Sequence, residues 1–129
     1  MKVFVDTNVF IASLTSEPER GVAATELLNS DHEFYTSILN LMELRAAMTK
    51  KKEVEQQVVE GVIDDLWGNL AVYTPEPSDL VVAFERQRET LLYTMDSILL
   101  ALAEDLEAEL ATFDRELLEN GATPPEDLV

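Results

Sequence analysis

The sequence contains no cysteine and a single histidine, His32. The absence of cysteine excludes disulfide bonds and thiolate metal ligands, and one histidine argues against a zinc site or a histidine-based catalytic triad. Basic residues are also scarce: 9 Lys and Arg residues stand against 26 Asp and Glu residues, which gives a net charge of −17. Catalytic chemistry in this chain would therefore have to use carboxylates.

Long apolar runs are missing as well. The first one ends at Asp6, far too early for the hydrophobic region of a secretory signal, and acids interrupt the later ones before they could span a bilayer. The length of 129 residues and the hydrophobic content of 47% suit one domain, residues 1–129, with a real core. We therefore expect a soluble, cytoplasmic protein without a membrane segment.

The acidity has two interpretations. A strongly negative chain ordinarily disfavours nucleic-acid binding, because phosphate contacts need a Lys/Arg surface. Alternatively, an acidic surface with only four lysines is typical of a protein from a halophilic host, where the charge maintains solubility in high salt. We favour the second interpretation, because the acids are spread along the chain and do not form a disordered tail.

The stretch from Lys2 to Leu14 organises the sequence. A short apolar run, Val3–Val5, ends at Asp6, and a segment with helical spacing follows. This pattern predicts a buried strand, a turn and a helix, and ligands of open α/β sheets bind beyond the carboxyl ends of the strands. Asp6 is therefore well placed for chemistry, although an Asp or Asn here could also simply cap the helix.

The rest of the chain alternates predicted strands and helices, which indicates an α/β fold with a central sheet. Further strands are predicted at Glu33–Ser37, Leu70–Tyr73 and Leu110–Phe113. Further helices are predicted at about Glu19–Leu28, Ile38–Met48, Val54–Leu66, Asp79–Glu89, Thr94–Ala103 and Arg115–Gly121. His32 falls in a turn and is predicted to be an ordinary surface residue.

The helix at Ile38–Met48 is apolar on nearly every side, which predicts burial all round. Glu43 interrupts this pattern, and helical spacing places it on an apolar face, so its carboxylate should point into the interior. A buried carboxylate needs a metal ion or a basic partner. Arg45 points away on an ideal helix, but a partner elsewhere in the chain would make Glu43 half of a buried ion pair.

Two further acids and one basic run stand out. Asp96 lies in the first turn of an apolar helix, where the helix dipole also favours an acid, and Asp114 follows the last predicted strand as Asp6 follows the first. The basic run Lys50–Lys52 either marks the solvated end of the preceding helix or contacts a phosphate backbone.

Asp6, Glu43, Asp96 and Asp114 form a candidate metal site. If four carboxylates converge, they repel one another unless divalent cations lie between them. Oxygen ligands without His or Cys select Mg²⁺ or Mn²⁺, and such ions serve phosphoryl chemistry. The predicted reaction is the hydrolysis of phosphodiester bonds.

These residues also resemble a known family. The Val5-Asp6-Thr7-Asn8 opening, Glu43 in its Leu-rich helix, the Asp96-Ser97-Ile98-Leu99 helix start and the Thr112–Glu116 ending look like the PIN-domain nucleases, and most resemble VapC-type toxins of toxin–antitoxin pairs. The resemblance covers essentially the whole chain. It implies a single PIN-like domain with a mostly parallel sheet of about four or five short strands flanked by helices.

The resemblance also implies residue roles and partners. Asp6, Glu43, Asp96 and Asp114 match the metal-binding acids of a Mg²⁺-dependent endoribonuclease; Thr7, Asn8 and Thr112 match supporting positions, and Glu116 adds to the fourth acid. The implied partners are an RNA substrate, a cognate antitoxin and a second copy of the chain. One departure is the acidic stretch Glu104–Glu107, since many relatives have glycine in the turn before the last strand.

Two other functions remain open on the sequence. An Asp after the first strand also begins phosphatases of the haloacid dehalogenase type, but these need a second Asp two residues on, where this chain has Asn8. The other alternative is a catalytically inactive, acidic PIN-like module that only binds a partner.

Overall fold

A four-stranded parallel sheet lies at the centre of the fold. The computed structural model describes residues 1–129, and its strands are β1 (Lys2–Val5), β2 (Glu33–Ser37), β3 (Ala71–Tyr73) and β4 (Glu109–Ala111). Their order is β3-β2-β1-β4, and each neighbouring pair is parallel. β1 is therefore an inner strand, and Val3, Phe4 and Val5 are fully buried, as expected for a parallel strand covered on both faces.

Seven helices cover the two faces of the sheet. They are α1 (Thr7–Leu14), α2 (Arg20–Leu28), α3 (Ile38–Ala46), α4 (Gln56–Asn69), α5 (Pro77–Thr90), α6 (Thr94–Asp105) and α7 (Arg115–Glu119). Alternation along β1 directs Val3 and Val5 into one core, with residues of α1 to α4, and Phe4 into a second core, with residues of α6 and α7. The predicted α/β fold with flanking helices is confirmed. None of these helices has both the length and the apolar character that a membrane span requires.

The C-terminal segment packs against the sheet. β4 ends at Ala111, earlier than predicted, and Ala111 forms an isolated bridge with Thr123. Leu128 is buried at the end of the chain, and its carbonyl oxygen lies 2.7 Å from Nε2 of His32. His32 is therefore half-buried and holds the C-terminal segment beside β2, so the prediction of an ordinary surface residue was wrong.

α3 is not buried on every side. Asn40, Leu41 and Leu44 are buried, whereas Met42 is 56% exposed and Glu43 is also exposed. The prediction that Glu43 points into the interior was therefore wrong. One side of α3 packs in the first core, while the side that carries Glu43 faces an open crevice. Apolar composition shows that a helix can be buried but not which of its faces has a neighbour.

α6 ends in a turn that usually contains glycine. The Ala108 N–H donates to the Ala103 carbonyl at 2.9 Å, and the Glu107 N–H donates to the Glu104 carbonyl at 3.1 Å. This bond pair defines a Schellman motif, whose residue after the helix takes a left-handed conformation. Glu107 has this conformation, with φ = 55°. The acidic stretch Glu104–Glu107 therefore keeps the Schellman motif but places a side chain where glycine is preferred.

We expect Glu107→Gly to stabilise the fold. Removing the Cβ relieves a left-handed conformation that costs about 1–2 kcal/mol. The greater conformational freedom of glycine in the unfolded chain offsets about half of this stabilisation. Glu107→Ala is the matched control, because it removes the charge and keeps the Cβ. Urea unfolding should show the Gly variant more stable than the Ala variant by about 0.5–1 kcal/mol. A less stable Gly variant would contradict this account of the turn.

Candidate active site

The four predicted acids line one crevice at the carboxyl edge of the sheet. Asp6 directly follows β1, and Asp114 lies just beyond the neighbouring parallel strand β4. Glu43 comes from α3, and Asp96 comes from the first turn of α6. The crevice has a volume of about 380 Å³, and all four acids are among its lining residues. Four segments that are distant in sequence therefore bring carboxylates to one place.

Asp6 is the most buried of these acids, with 5% of its surface exposed. Its Oδ1 accepts a hydrogen bond from the Thr7 N–H at 2.7 Å, and its Oδ2 accepts one from the Thr112 hydroxyl at 2.8 Å. The first bond makes Asp6 the N-cap of α1, as one interpretation of the sequence suggested. The second bond fixes the carboxylate against the segment after β4, so capping is only part of its role.

Asn8 and Thr112 connect the two strand ends. The Thr112 hydroxyl accepts hydrogen bonds from Asn8 Nδ2 at 3.2 Å and from the Asp114 N–H at 3.0 Å. Asn8 Oδ1 accepts a hydrogen bond from the Phe113 N–H at 3.2 Å. Thr112 is fully buried and Asn8 is half-buried. The structure thus places these two residues where they hold the chain around Asp6 and Asp114.

Two polar residues behind Asp6, Ser37 and Asn40, were not predicted from the sequence. Asn40 is fully buried; its Nδ2 donates to the Thr7 hydroxyl at 3.0 Å and lies 3.5 Å from Asp6 Oδ1. Ser37 holds Asn40 in place, because its hydroxyl donates to Asn40 Oδ1 at 2.7 Å and accepts from the Asn40 N–H at 3.2 Å. The signal was present: a Ser at a strand end, followed by a polar residue three positions later, has the spacing of a capping box.

Glu43 has no basic partner. Arg45, the nearest arginine in sequence, pairs with Glu60, with its Nε 2.6 Å from Oε1. None of the salt bridges of the chain includes Glu43. The alternative of a buried ion pair at Glu43 is therefore wrong on two counts, since the carboxylate is exposed and unpaired.

Asp114 and Glu116 lie at the start of α7. Asp114 is half-buried, and its Oδ1 accepts a hydrogen bond from the Glu116 N–H at 2.9 Å, which caps this short helix. Glu116 is exposed and does not line the crevice. Its charge nevertheless contributes to the electrostatics of Asp96. The structure therefore places Glu116 beside the site but not within it.

Burial and mutual repulsion raise the pKa values of two of the acids. Burial raises the pKa of Asp6 to about 6; the hydrogen bonds from Thr112 and Thr7 oppose this shift, and the charges of Glu43 and Asp114 add to it. Burial also raises the pKa of Asp96 to about 6, and the charges of the other three acids and of Glu116 add to the rise. The neighbouring carboxylates are thus close enough to disfavour the ionised forms of Asp6 and Asp96.

The donor groups of this crevice suit a hard divalent cation, but they do not form a preorganised coordination site. No group of three or more acidic or histidine side chains is positioned to hold an ion without movement. The donors are carboxylate oxygens only, which is the set that Mg²⁺ and Mn²⁺ prefer. A cation between them would also favour the ionised forms of Asp6 and Asp96, which burial and the neighbouring charges disfavour.

The fold and the crevice together define a class: an α/β domain with a parallel sheet and acids gathered at its carboxyl edge. A family model described as "PIN domain" matches residues 3–122. The chain therefore belongs to the PIN domain family. No curated protein sequence matches it.

Solved structures with the same fold include proteins of toxin–antitoxin systems. The toxin VapC20 of Mycobacterium tuberculosis, described as cleaving the sarcin-ricin loop, has a TM-score of 0.78 at 20% identity, with 94% of this chain and 96% of that one covered. A toxin–antitoxin complex from Klebsiella pneumoniae has a TM-score of 0.75 at 20% identity, covering 95% and 97%. DNA-bound VapBC from Salmonella typhimurium has a TM-score of 0.73 at 18% identity, covering 96% of each chain. At these identities the likeness shows the fold.

We expect Asp96→Asn to stabilise the metal-free protein at pH 8 and to leave it unchanged at pH 4. A pKa raised to about 6 means that ionisation of Asp96 opposes folding as the pH rises from about 4 to about 6 and above. No hydrogen bond within the chain involves the Asp96 carboxylate, so the amide replaces it without losing a partner. The gain should be about 1 kcal/mol, since solvent screening discounts the shift of a half-exposed group.

The measurement is chemical unfolding in a chelator at both pH values. Asp105→Asn, at the other end of α6, is the matched control, because Asp105 is exposed and outside the crevice. A destabilised Asp96→Asn variant at pH 8 would show that the acids of the crevice do not repel one another.

Proposed function

We propose that this protein is a metal-dependent endoribonuclease, Mg²⁺ or Mn²⁺ being its cofactor, and the toxin of a toxin–antitoxin pair. The observation that carries the proposal is the convergence of Asp6, Glu43, Asp96 and Asp114 in one crevice at the carboxyl edge of the sheet. Membership of the PIN domain family supports nuclease chemistry. The toxin–antitoxin proteins among the structures of the same fold support the toxin role.

In the proposed mechanism Asp6, Glu43, Asp96 and Asp114 would hold the divalent cation. When bound, the cation would activate water for attack and offset the negative charge of the phosphate in the transition state. Asp6 is the fixed point of the site, because Thr112, Thr7 and Asn40 hold its carboxylate. Asp96, Asp114 and Glu43 are more exposed and can adjust around the ion. Hydrolysis joins the water oxygen to phosphorus and breaks the bond to the leaving ribose oxygen.

The two alternative functions have less support. A phosphatase of the haloacid dehalogenase type would need a second catalytic acid at residue 8, but the Asn8 amide is engaged with Thr112 and Phe113 as a connector of strand ends. An inactive interaction module would have no use for repelling carboxylates in the crevice. The raised pKa values of Asp6 and Asp96 show that the ionised forms carry a free-energy cost.

The proposed partners are RNA, a cognate antitoxin and a second copy of the chain, in the cytoplasm. VapBC complexes among the structures of the same fold support the antitoxin. An apolar surface on α5 and the turn after it supports the homodimer: Phe84 is 69% exposed, Val81 62% and Leu91 83%, and Leu80 lies on the same helix at 46%. Apolar patches of this kind mark interaction surfaces in soluble proteins.

We expect Asp96→Asn to abolish RNA hydrolysis while the protein stays folded. Losing one member of a small carboxylate site should lower kcat by at least about a hundredfold, since the cation would no longer be positioned. The measurement is cleavage of total RNA in Mn²⁺, followed by electrophoresis, with circular dichroism to verify folding. Asp105→Asn should keep the full rate. Metal-dependent cleavage by Asp96→Asn at the wild-type rate would show that the site is assigned wrongly.

The net charge of −17 leads to a prediction about salt. We propose that the acidity reflects a halophilic host. Because the chain has few basic residues, close contacts between the cation and the phosphate would then supply most of the attraction for RNA. Cleavage at RNA concentrations below KM and at fixed Mn²⁺ should then persist or rise from low to molar KCl, because salt screens the long-range repulsion that opposes association of the chain with RNA. A steep loss of cleavage with the fold intact, as followed by circular dichroism, would contradict this origin of the acidity.

A further inference from the structure

Three lysines of this acidic protein have no partner. Each of four arginines pairs with a glutamate: Arg45 with Glu60, Arg86 with Glu89 and Glu104, Arg88 with Glu85, and Arg115 with Glu119. Arg20 lies over the Phe113 ring, and the Lys2 ammonium donates to the Leu106 carbonyl. The ammonium groups of Lys50, Lys51 and Lys52 alone make no such contact, although acids outnumber bases almost threefold. Free cations are thus concentrated on one segment.

Of these three lysines, only Lys51 lines the acidic crevice. It is the last residue of a π-helical turn, Ala47–Lys51, closed by the hydrogen bond from the Lys52 N–H to the Ala47 carbonyl at 3.1 Å. In a regular α-helix, Lys51 would point about 80° away from Glu43. A π turn is wider and rotates less per residue, which brings Lys51 back towards the face of Glu43 and Ala47. Both of these residues line the crevice too.

Tyr93 presents an aromatic ring at the same crevice. It lines the crevice, its side chain makes no hydrogen bond within the chain, and 76% of its surface is exposed. Its backbone is well fixed, because the Ser97 N–H donates to the Tyr93 carbonyl at 2.9 Å, and Gln87 Nε2 donates to the Leu92 carbonyl at 2.9 Å. A rigid backbone carrying an exposed ring is a suitable platform for a planar ligand.

We propose that Lys51 and Tyr93 bind the RNA strand in the crevice: Lys51 contacts a phosphate next to the scissile one, and Tyr93 stacks on an adjacent unpaired base. This inference rests on the proposed nuclease function and assigns two residues that bind its RNA substrate. Stacking requires a base that is free of its helix, and an ammonium group recognises phosphate without regard to sequence. Lys50 and Lys52 lie at the same helix end but do not line the crevice. If the lysines acted only on the helix dipole, all three would have the same effect.

The proposal is tested by RNA binding in an Asp96→Asn background, so that cleavage does not obscure affinity. Fluorescence anisotropy would follow a labelled single-stranded RNA of about 12 nucleotides and its duplex over a KCl series, a length within the range of single-strand sites. Lys51→Met should weaken binding of the single strand about tenfold at low salt. It should also lower the slope of log Kd against log salt by about 0.7, the value of one phosphate contact. Lys50→Met and Lys52→Met are the matched controls and should change affinity less than about twofold.

Tyr93→Leu should weaken binding of the single strand at least about fivefold, with an unchanged salt slope, because stacking does not release counterions. Affinity for the duplex should stay as it was, since its bases are not free to stack. Trp67→Leu is the control for loss of an exposed aromatic ring, since Trp67 is 51% exposed on α4 and does not line the crevice. When introduced into the wild-type protein, Lys51→Met and Tyr93→Leu should each raise KM for RNA with little change in kcat.

Two results would overturn the proposal. One is a Lys51→Met variant that binds RNA as the Lys50→Met and Lys52→Met variants do. The other is a Tyr93→Leu variant that loses nothing on the single strand, or loses as much on the duplex. If either result accompanies normal cleavage by the wild type, this inference fails and the nuclease function stands. If the parent Asp96→Asn protein binds no RNA and the wild type cleaves none, both fail.

Discussion

The hydrogen bond between the Thr112 hydroxyl and the Asp6 carboxylate is the interaction on which the candidate site depends. It joins the segments that follow two neighbouring parallel strands, over 106 positions of sequence. Asp6 is nearly inaccessible to solvent, so its negative charge would be costly without this bond and the Thr7 N–H. The bonds of Thr112 to Asn8 and Asp114 extend the same connection to the second acid. The geometry of the site thus follows from how the sheet ends are tied together.

Repulsion between carboxylates is the second constraint. Burial first, and then the charges of neighbouring acids, raise the pKa values of Asp6 and Asp96, so the crevice opposes the accumulation of negative charge. The folded state would gain stability if Asp96 were neutral, whereas a site for a divalent cation requires its charge. This conflict between stability and a concentrated charge is typical of functional sites. The surrounding fold provides the compensating stability through two well-packed cores on opposite faces of the sheet.

The distribution of basic residues complements that of the acids. Four of the five arginines are paired with glutamates and Arg20 lies over an aromatic ring, so each arginine already has a partner within the chain. The free lysines lie at the end of α3, and one of them reaches the crevice through a π turn. A protein with few cations can therefore still place one where a phosphate would bind. The net charge of the chain therefore does not predict which charged side chains line the crevice.

The sequence by itself determined the α/β fold and the order of its elements, because strand and helix periodicities are local and the apolar run of β1 is unambiguous. It also singled out the four acids, since a charged group at a strand end or on an apolar helix interrupts a regular pattern. Only the tertiary structure decided that α3 exposes Glu43, because the neighbours of a helix face are set by packing and not by composition. The same holds for the buried contacts of Asn40 and for Lys51 and Tyr93 in one crevice, which come from distant segments. His32 likewise acquired its role from a C-terminal carbonyl that no local pattern could bring to it.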